Sequence, residues 1–178
     1  SFLVGTNLNG SVRAIRIQPN GKILIGGAFT AYGATTQNFL TRLNTDGTLD
    51  STFSAAGNLD NFVNTIDLQP DGNVLVGGGF THYGSVPCNR IVRLRSDGTL
   101  DPTINLGTGA DSFVDSLLVQ SDGKIVMGGS FTNFNGQTAN YLARFNGGIN
   151  FGEGIIGFSL AAATISEDGG SLTVSVQR

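Results

Sequence analysis

The chain has no tryptophan, one cysteine (Cys88), one methionine (Met127) and one histidine (His82) in 178 residues. A lone thiol forms no internal disulfide, and no Cys-rich spacing of a structural metal site exists. Charged residues make up only 13%, about half the usual share. The net charge of −3 leaves no basic footprint for nucleic acid. Glutamate is nearly missing: Glu153 and Glu167 are the only two, and every other acid is an aspartate. Asp favours turns and Glu favours helices, so the skew argues against a helical chain. No stretch approaches the ~20 apolar residues of a membrane-spanning helix.

Glycine, by contrast, is abundant at 27 residues, and it is periodic. Val12, Val63 and Val114 open three copies of one unit, each 51 residues after the last. Gln18, Gln69 and Gln120 keep the register, as do Gly26-Gly27, Gly77-Gly78 and Gly128-Gly129. Phe-Thr steps at Phe29, Phe80 and Phe131 follow, and then Arg42, Arg93 and Arg144. A period in this range marks one supersecondary unit used repeatedly, as in propeller blades. Within each copy two apolar runs flank a tight turn, Pro19-Asn20-Gly21-Lys22, Pro70-Asp71-Gly72-Asn73 or Ser121-Asp122-Gly123-Lys124. Asn-Gly or Asp-Gly between β-branched runs signals a hairpin, because these residues tolerate the positive φ of the turn. The second run (Ile23-Leu24-Ile25, Val74-Leu75-Val76, Ile125-Val126-Met127) is apolar on both faces, as in a strand covered from both sides. A glycine-rich loop, a third run and a short fourth run (Leu49 to Phe53, Leu100 to Ile104) complete the unit. The expected fold is all-β, with propeller-type blades of four antiparallel strands and almost no helix.

The period also divides the chain. Residues 1–11 are expected to close a preceding repeat, since Phe2 and Leu8 stand in register with Phe53 and Leu59. The chain therefore reads as a piece of a longer array. Repeats follow at 12–62, 63–113 and 114–151, the last with an atypical end. A Gly-rich linker is expected at 152–157 and a separate β segment at 158–178.

Two resemblances attach to these residues. The run Gln69 to Thr81, followed by Arg93-Leu94-Arg95-Ser96-Asp97-Gly98-Thr99-Leu100-Asp101, resembles the delta-60 repeat. That is a bacterial propeller-like repeat of large secreted or surface proteins, with no established catalytic residues. The tail, with Thr164-Ile165-Ser166-Glu167-Asp168-Gly169-Gly170 and Val174-Ser175-Val176-Gln177-Arg178, looks like the opening of a Calx-β domain. The resemblance implies a metal-ligating role for Glu167. The carboxylates that would complete such a calcium site are not in this sequence, so calcium is expected only of a complete Calx-β domain. No other cofactor is expected.

Most candidate chemistry recurs in every copy, which points to construction of the unit. Each Asp-Gly turn carries a single acid, too few for calcium's six to eight oxygens. The Gly-Gly pairs precede no helix and so cradle no phosphate; they are expected to allow close backbone approach or a bulge. The recurring arginines need a buried partner, for which Asp50 and Asp101 are candidates, with Asn150 in the third copy. His82 reads as a solvated loop residue and Cys88 as an incidental loop thiol. The aromatics Tyr32, Tyr83 and Phe134 and the amides Asn38, Asn89 and Asn140 are candidate binding residues if they line one rim; otherwise they plug blade edges and cap turns.

The expectation is a non-enzymatic module of an extracellular or cell-surface protein, acting in adhesion, assembly or ligand binding through blade loops. Its expected partners are other protein chains, adjoining domains or a glycan. One alternative is a structural subunit that assembles through open strand edges. A second is a propeller hydrolase resembling metal-dependent lactonases, for which Asp115 and Glu153 are the only non-repeating acids to examine.

Overall fold

A computed structural model describes residues 8–55, 58–104 and 106–147. Among these residues every regular element is a strand. The first blade comprises β1 (Val12–Ile17), β2 (Ile23–Gly27), β3 (Ala31–Tyr32), β4 (Thr35–Thr36) and β5 (Leu40–Leu43). The second comprises β6 (Val63–Leu68), β7 (Val74–Gly78), β8 (His82–Tyr83), β9 (Val86–Pro87) and β10 (Ile91–Leu94). The third comprises β11 (Val114–Val119), β12 (Lys124–Gly129), β13 (Asn133–Phe134), β14 (Gln137–Thr138) and β15 (Leu142–Asn146).

Each blade is a three-stranded antiparallel sheet, ordered β1-β2-β5, β6-β7-β10 and β11-β12-β15, with a two-stranded hairpin beside it. The β1–β2 turn closes on Gly21, whose φ of 81° is the left-handed value that glycine supplies without strain. Asn20 Oδ1 accepts the Lys22 amide across that turn.

Two details differ from the expectation. The glycine-rich loop after the second strand contains a short hairpin, Ala31–Tyr32 against Thr35–Thr36. The fourth run makes single bridges, Leu43 to Leu49 and Leu94 to Leu100, rather than a strand. The cause lies one residue further on. Asp50 Oδ1 accepts the Thr52 amide, and Asp101 Oδ1 accepts that of Thr103. Such local Asx turns draw the backbone out of the ladder.

The cores lie between blades. Leu24 and Leu40 of the first blade pack with Val63, Ile66, Val74 and Val76 of the second. Leu75 and Ile91 of the second pack with Val114, Leu117, Ile125 and Met127 of the third. Alternate residues of each middle strand therefore serve opposite neighbours, which is why these runs are apolar on both faces.

The glycine pairs make this contact possible. A Cβ on Gly26 would strike Val63 Cγ1, and one on Gly77 would lie 2.7 Å from Val114 Cγ1. The second glycine of each pair faces backbone instead: Gly27, Gly78 and Gly129 press on the carbonyls of Ser11, Phe62 and Phe113. There each inner strand carries a bulge, between Val12 and Ala14, Val63 and Thr65, and Val114 and Ser116.

Candidate functional site

The repeating polar groups form the frame. Arg93 Nε lies 2.7 Å from Asp101 Oδ2 with both side chains buried, and Arg42 Nε lies 2.6 Å from Asp50 Oδ2. Arg42 Nη1 also donates to Ser96 O, and Arg93 Nη1 to Gly147 O at 3.0 Å, so each arginine ties its blade to a turn of the next. Burial raises the pKa of Asp50, but hydrogen bonds from Lys22, Thr52 and Arg42 outweigh it and hold the carboxyl well below the usual range. In Asp101 burial is likewise outweighed, by bonds from Thr103 and the charge of Arg93.

A second recurring device fastens the short hairpins. Asn9, Asp60 and Asp111 each accept two consecutive backbone amides: those of Thr30 and Ala31, of Thr81 and His82, and of Thr132 and Asn133. For Asp60, burial raises the pKa, but the bonds from Thr81 and His82 bring it down to about 2. His82 Nδ1 sits 3.2 Å from Asp60 Oδ2 and 2.9 Å from Thr81 Oγ1. Both contacts fall on one ring nitrogen, and the Thr81 hydroxyl donates to Asp60, so the trio brackets the loop. In the turns, Asp46 and Asp97 accept the Thr48 and Thr99 amides through Oδ1. Among the described residues no three metal-ligating side chains converge, and Glu167 lies outside them.

The loop aromatics are placed inside the blades. Tyr83 and Phe134 are buried and Tyr32 is half-buried. The Tyr32 hydroxyl donates to Gly47 O and that of Tyr83 to Gly98 O, each at 2.5 Å, fastening the loop to the turn of the same blade. The asparagines part company with them. Asn89 Nδ2 donates to Thr108 O, Asn140 is exposed, and Asn38 is half-buried. Asn89, Pro87, Cys88, Pro102 and Leu106 line a cleft of about 270 Å³, just below the roughly 300–1,000 Å³ of ligand pockets. Burial, and then the charge of Asp60, push the Cys88 thiol up to about 12, so it is a poor nucleophile.

What remains is chemistry that changes from copy to copy at one repeat position. The inner strands β1, β6 and β11 lie side by side. Arg13 Nη1 donates to Asn64 Oδ1 at 2.8 Å, and Asn64 Nδ2 donates to Asp115 Oδ1 at 2.8 Å. These three residues are 51 apart and form one line across three blades. A parallel line runs from Arg16, whose Nε lies 3.2 Å from Asp67 Oδ1, to Val119 N, which donates to Asp67 Oδ2, and exposed Leu118 occupies the third place. The Arg13 guanidinium stands 4.5 Å above the Phe62 ring, which meets Phe113 edge-on at 5.3 Å.

The solvent-facing surface thus grades from cationic (Arg13, Arg16) through Asn64 and Asp67 to Asp115. Sequence reading singles out Asp115 alone of this row. The signal for the rest is a polar residue whose identity changes inside an otherwise repeating unit.

A family model described as a domain of unknown function (DUF5122) beta-propeller matches residues 18–53, 69–103 and 120–147. Its segments span more than half of the chain and hold the buried arginines, the turns and the glycine pairs. The inner strands with the Arg13–Asn64–Asp115 row fall outside them, each just ahead of a matched segment. No curated protein and no solved structure matches the chain. Three blades of one repeat, matched one by one by that model, place the chain in the DUF5122 β-propeller family.

Proposed function

We propose that the chain is a non-enzymatic recognition module of a secreted or cell-surface bacterial protein, and that it binds through the surface of its inner strands. The observation that carries this reading is the Arg13–Asn64–Asp115 row with its Arg16–Asp67 neighbour. Recurring polar groups elsewhere hold turns, hairpins and blade junctions, whereas this row varies in charge at fixed geometry and stays wetted. A solvent-facing row of a guanidinium, an amide and a carboxylate beside the Phe62–Phe113 pair suits a polar chain such as a glycan or an extended peptide. The setting outside the cell follows from the resemblance to delta-60 repeats and from the Calx-β-like tail.

A hydrolase gains no support from Asp115. Its Oδ1 accepts from Asn64 and its Oδ2 lies 3.5 Å from Ser130 Oγ, leaving it poorly placed as a general base. Among the described residues no helix is long and apolar enough to cross a membrane.

The test is a glycan and peptide array probed with the wild-type chain and with Arg13→Ala/Asp115→Ala. Binding by the wild type that is lost in the double variant, with melting temperature retained, supports the reading. Binding that is unchanged in the variant, or absent from the array altogether, removes it.

A further inference from the structure

The cations of this chain divide into two sets. Arg16, Lys22, Arg42, Arg93, Lys124 and Arg144 each lie within ion-pair distance of an aspartate. Arg95 is exposed near Asp97. Arg13 and Arg90 have no acid partner among the described residues and lie over aromatic rings instead. Arg13 Cζ stands 4.5 Å from the centre of the Phe62 ring, and Arg90 Cζ 6.0 Å from that of Phe113. The two rings meet edge-on at 5.3 Å. Guanidinium, ring, ring and guanidinium therefore follow one another across three blades. Arg13 also donates to Asn64, so this ridge meets the polar row at its cationic end.

The ridge stands apart from the recurring frame. Ser11 holds the place of Phe62 and Phe113 in the first copy, and Phe39 and Tyr141 hold that of Arg90 in the other two. A Cβ on Gly79 would lie 2.6 Å from Phe62 Cζ, and Ala28 and Ser130 are its equivalents. Bare backbone at this one copy therefore makes room for the Phe62 ring. The backbone edge beside the ridge is already engaged. Thr65 Oγ1 accepts the Leu117 amide, Asp67 Oδ2 accepts that of Val119, and Asn64 Nδ2 donates to Val114 O. A peptide that adds as a strand needs such groups free. The surface offers side chains instead. The Phe113 ring, 41% exposed, gives a large apolar contact that fits the C–H face of a pyranose. A guanidinium takes a carboxylate through two parallel N–H···O bonds. Of the acids nearby, Asp60 and Asp111 hold the amides of their own hairpins, and Asp67 holds Arg16. Asp115, bonded to Asn64, is an acceptor for sugar hydroxyls.

We propose that the ligand of this surface is a carboxylated polysaccharide, a linear chain of uronate sugars. Its carboxylates pair with Arg13 and Arg90, and a pyranose face lies on Phe113. This rests on the inner-strand recognition proposed above and narrows its ligand from polar chains in general to an acidic glycan. Arg90 becomes the residue that sets specificity for charge.

Isothermal titration of the full chain at low salt tests this with polygalacturonate and alginate as probes. Methyl-esterified polygalacturonate keeps the sugar backbone and masks its charges, and polyglutamate supplies the charges on a peptide. The wild type is expected to bind at least one polyuronate about tenfold or more tighter than either control. Arg90→Gln and Phe113→Ala are each expected to weaken that binding about tenfold, on the order of one charge-assisted contact. Arg90→Gln is also expected to flatten its salt dependence. Should Arg90→Gln fail to fold, Arg90→Tyr removes the charge with the residue that the third copy carries there. Polyuronates bound no better than the ester, a preference for polyglutamate, or affinity unchanged by loss of the Arg90 charge overturns the proposal. A neutral glycan or peptide whose binding is lost in Arg13→Ala/Asp115→Ala but indifferent to Arg90 overturns it while leaving the recognition reading standing. Binding of no probe and no array member overturns both.

Discussion

Identical residues in equivalent positions carry different energies here, and Arg93 and Arg144 are the clearest pair. Arg93 is buried against a buried Asp101, whereas Arg144 pairs with Asp122 at the surface. Removing one member of a buried pair leaves an uncompensated charge, so Arg93→Leu is expected to cost about 3–5 kcal/mol. Arg144→Leu is expected to cost under about 1 kcal/mol. Equal losses in chemical denaturation would contradict the burial difference. Strain is a second residue-scale feature, invisible in the sequence. Phe39, Arg90 and Tyr141 occupy one repeat position and all have positive φ, at 63°, 69° and 65°. Left-handed backbone costs a side-chain-bearing residue roughly 1–2 kcal/mol. Glycine returns about 0.5–1 kcal/mol of that as extra chain entropy on folding. Exposed Tyr141→Gly is therefore expected to stabilise by up to about 1 kcal/mol, and Tyr141→Val to destabilise; the two melting temperatures give the sign.

The middle strand is the element on which each blade depends, because it serves two cores and has one glycine in each junction. A Cβ on Gly77 would lie 2.7 Å from Val114 Cγ1, 2.8 Å from Thr65 Cγ2 and 3.1 Å from Leu117 Cδ1. Overpacking of this kind costs about 1–3 kcal/mol, which is the loss expected of Gly77→Val in urea denaturation. The two-sided apolar pattern and the paired glycines make this strand legible without coordinates. The short hairpin was not legible: Ala31–Tyr32 and Thr35–Thr36 have no apolar alternation, and their place is held by the Asn9 side chain 21 residues away from Thr30. The fourth run misleads for the opposite reason. Its apolar residues look like a strand, but Asp50 and Asp101 turn the chain after one bridge.

At the scale of the whole molecule, blade junctions rest on carboxylates held ionised. Asp50 and Asp101 both have folded-state pKa values below the ordinary 3.8. Between the folded and unfolded values the unfolded chain binds more protons, so stability rises with pH across that window. Their contribution is complete above about pH 4 and is lost as the pH falls through the lower, folded-state values. A plateau from neutrality to about pH 4, then an acid limb that flattens in Asp50→Asn, is the expected stability profile. A limb with the same slope in that variant would assign acid unfolding to other groups.

Taken alone, the sequence determined the unit, its period, its all-β character and the structural meaning of the glycines, because backbone preference and apolar periodicity are local and repeat with the chain. Only the tertiary structure decided which side chains remain available. It drew the rings of Tyr83 and Phe134 inside the blades, left Asn140 exposed, and brought Arg13, Asn64 and Asp115 into one line. The physical reason is distance: residues 51 apart become neighbours only when blades stack, and no local preference records which polar groups that stacking leaves in water.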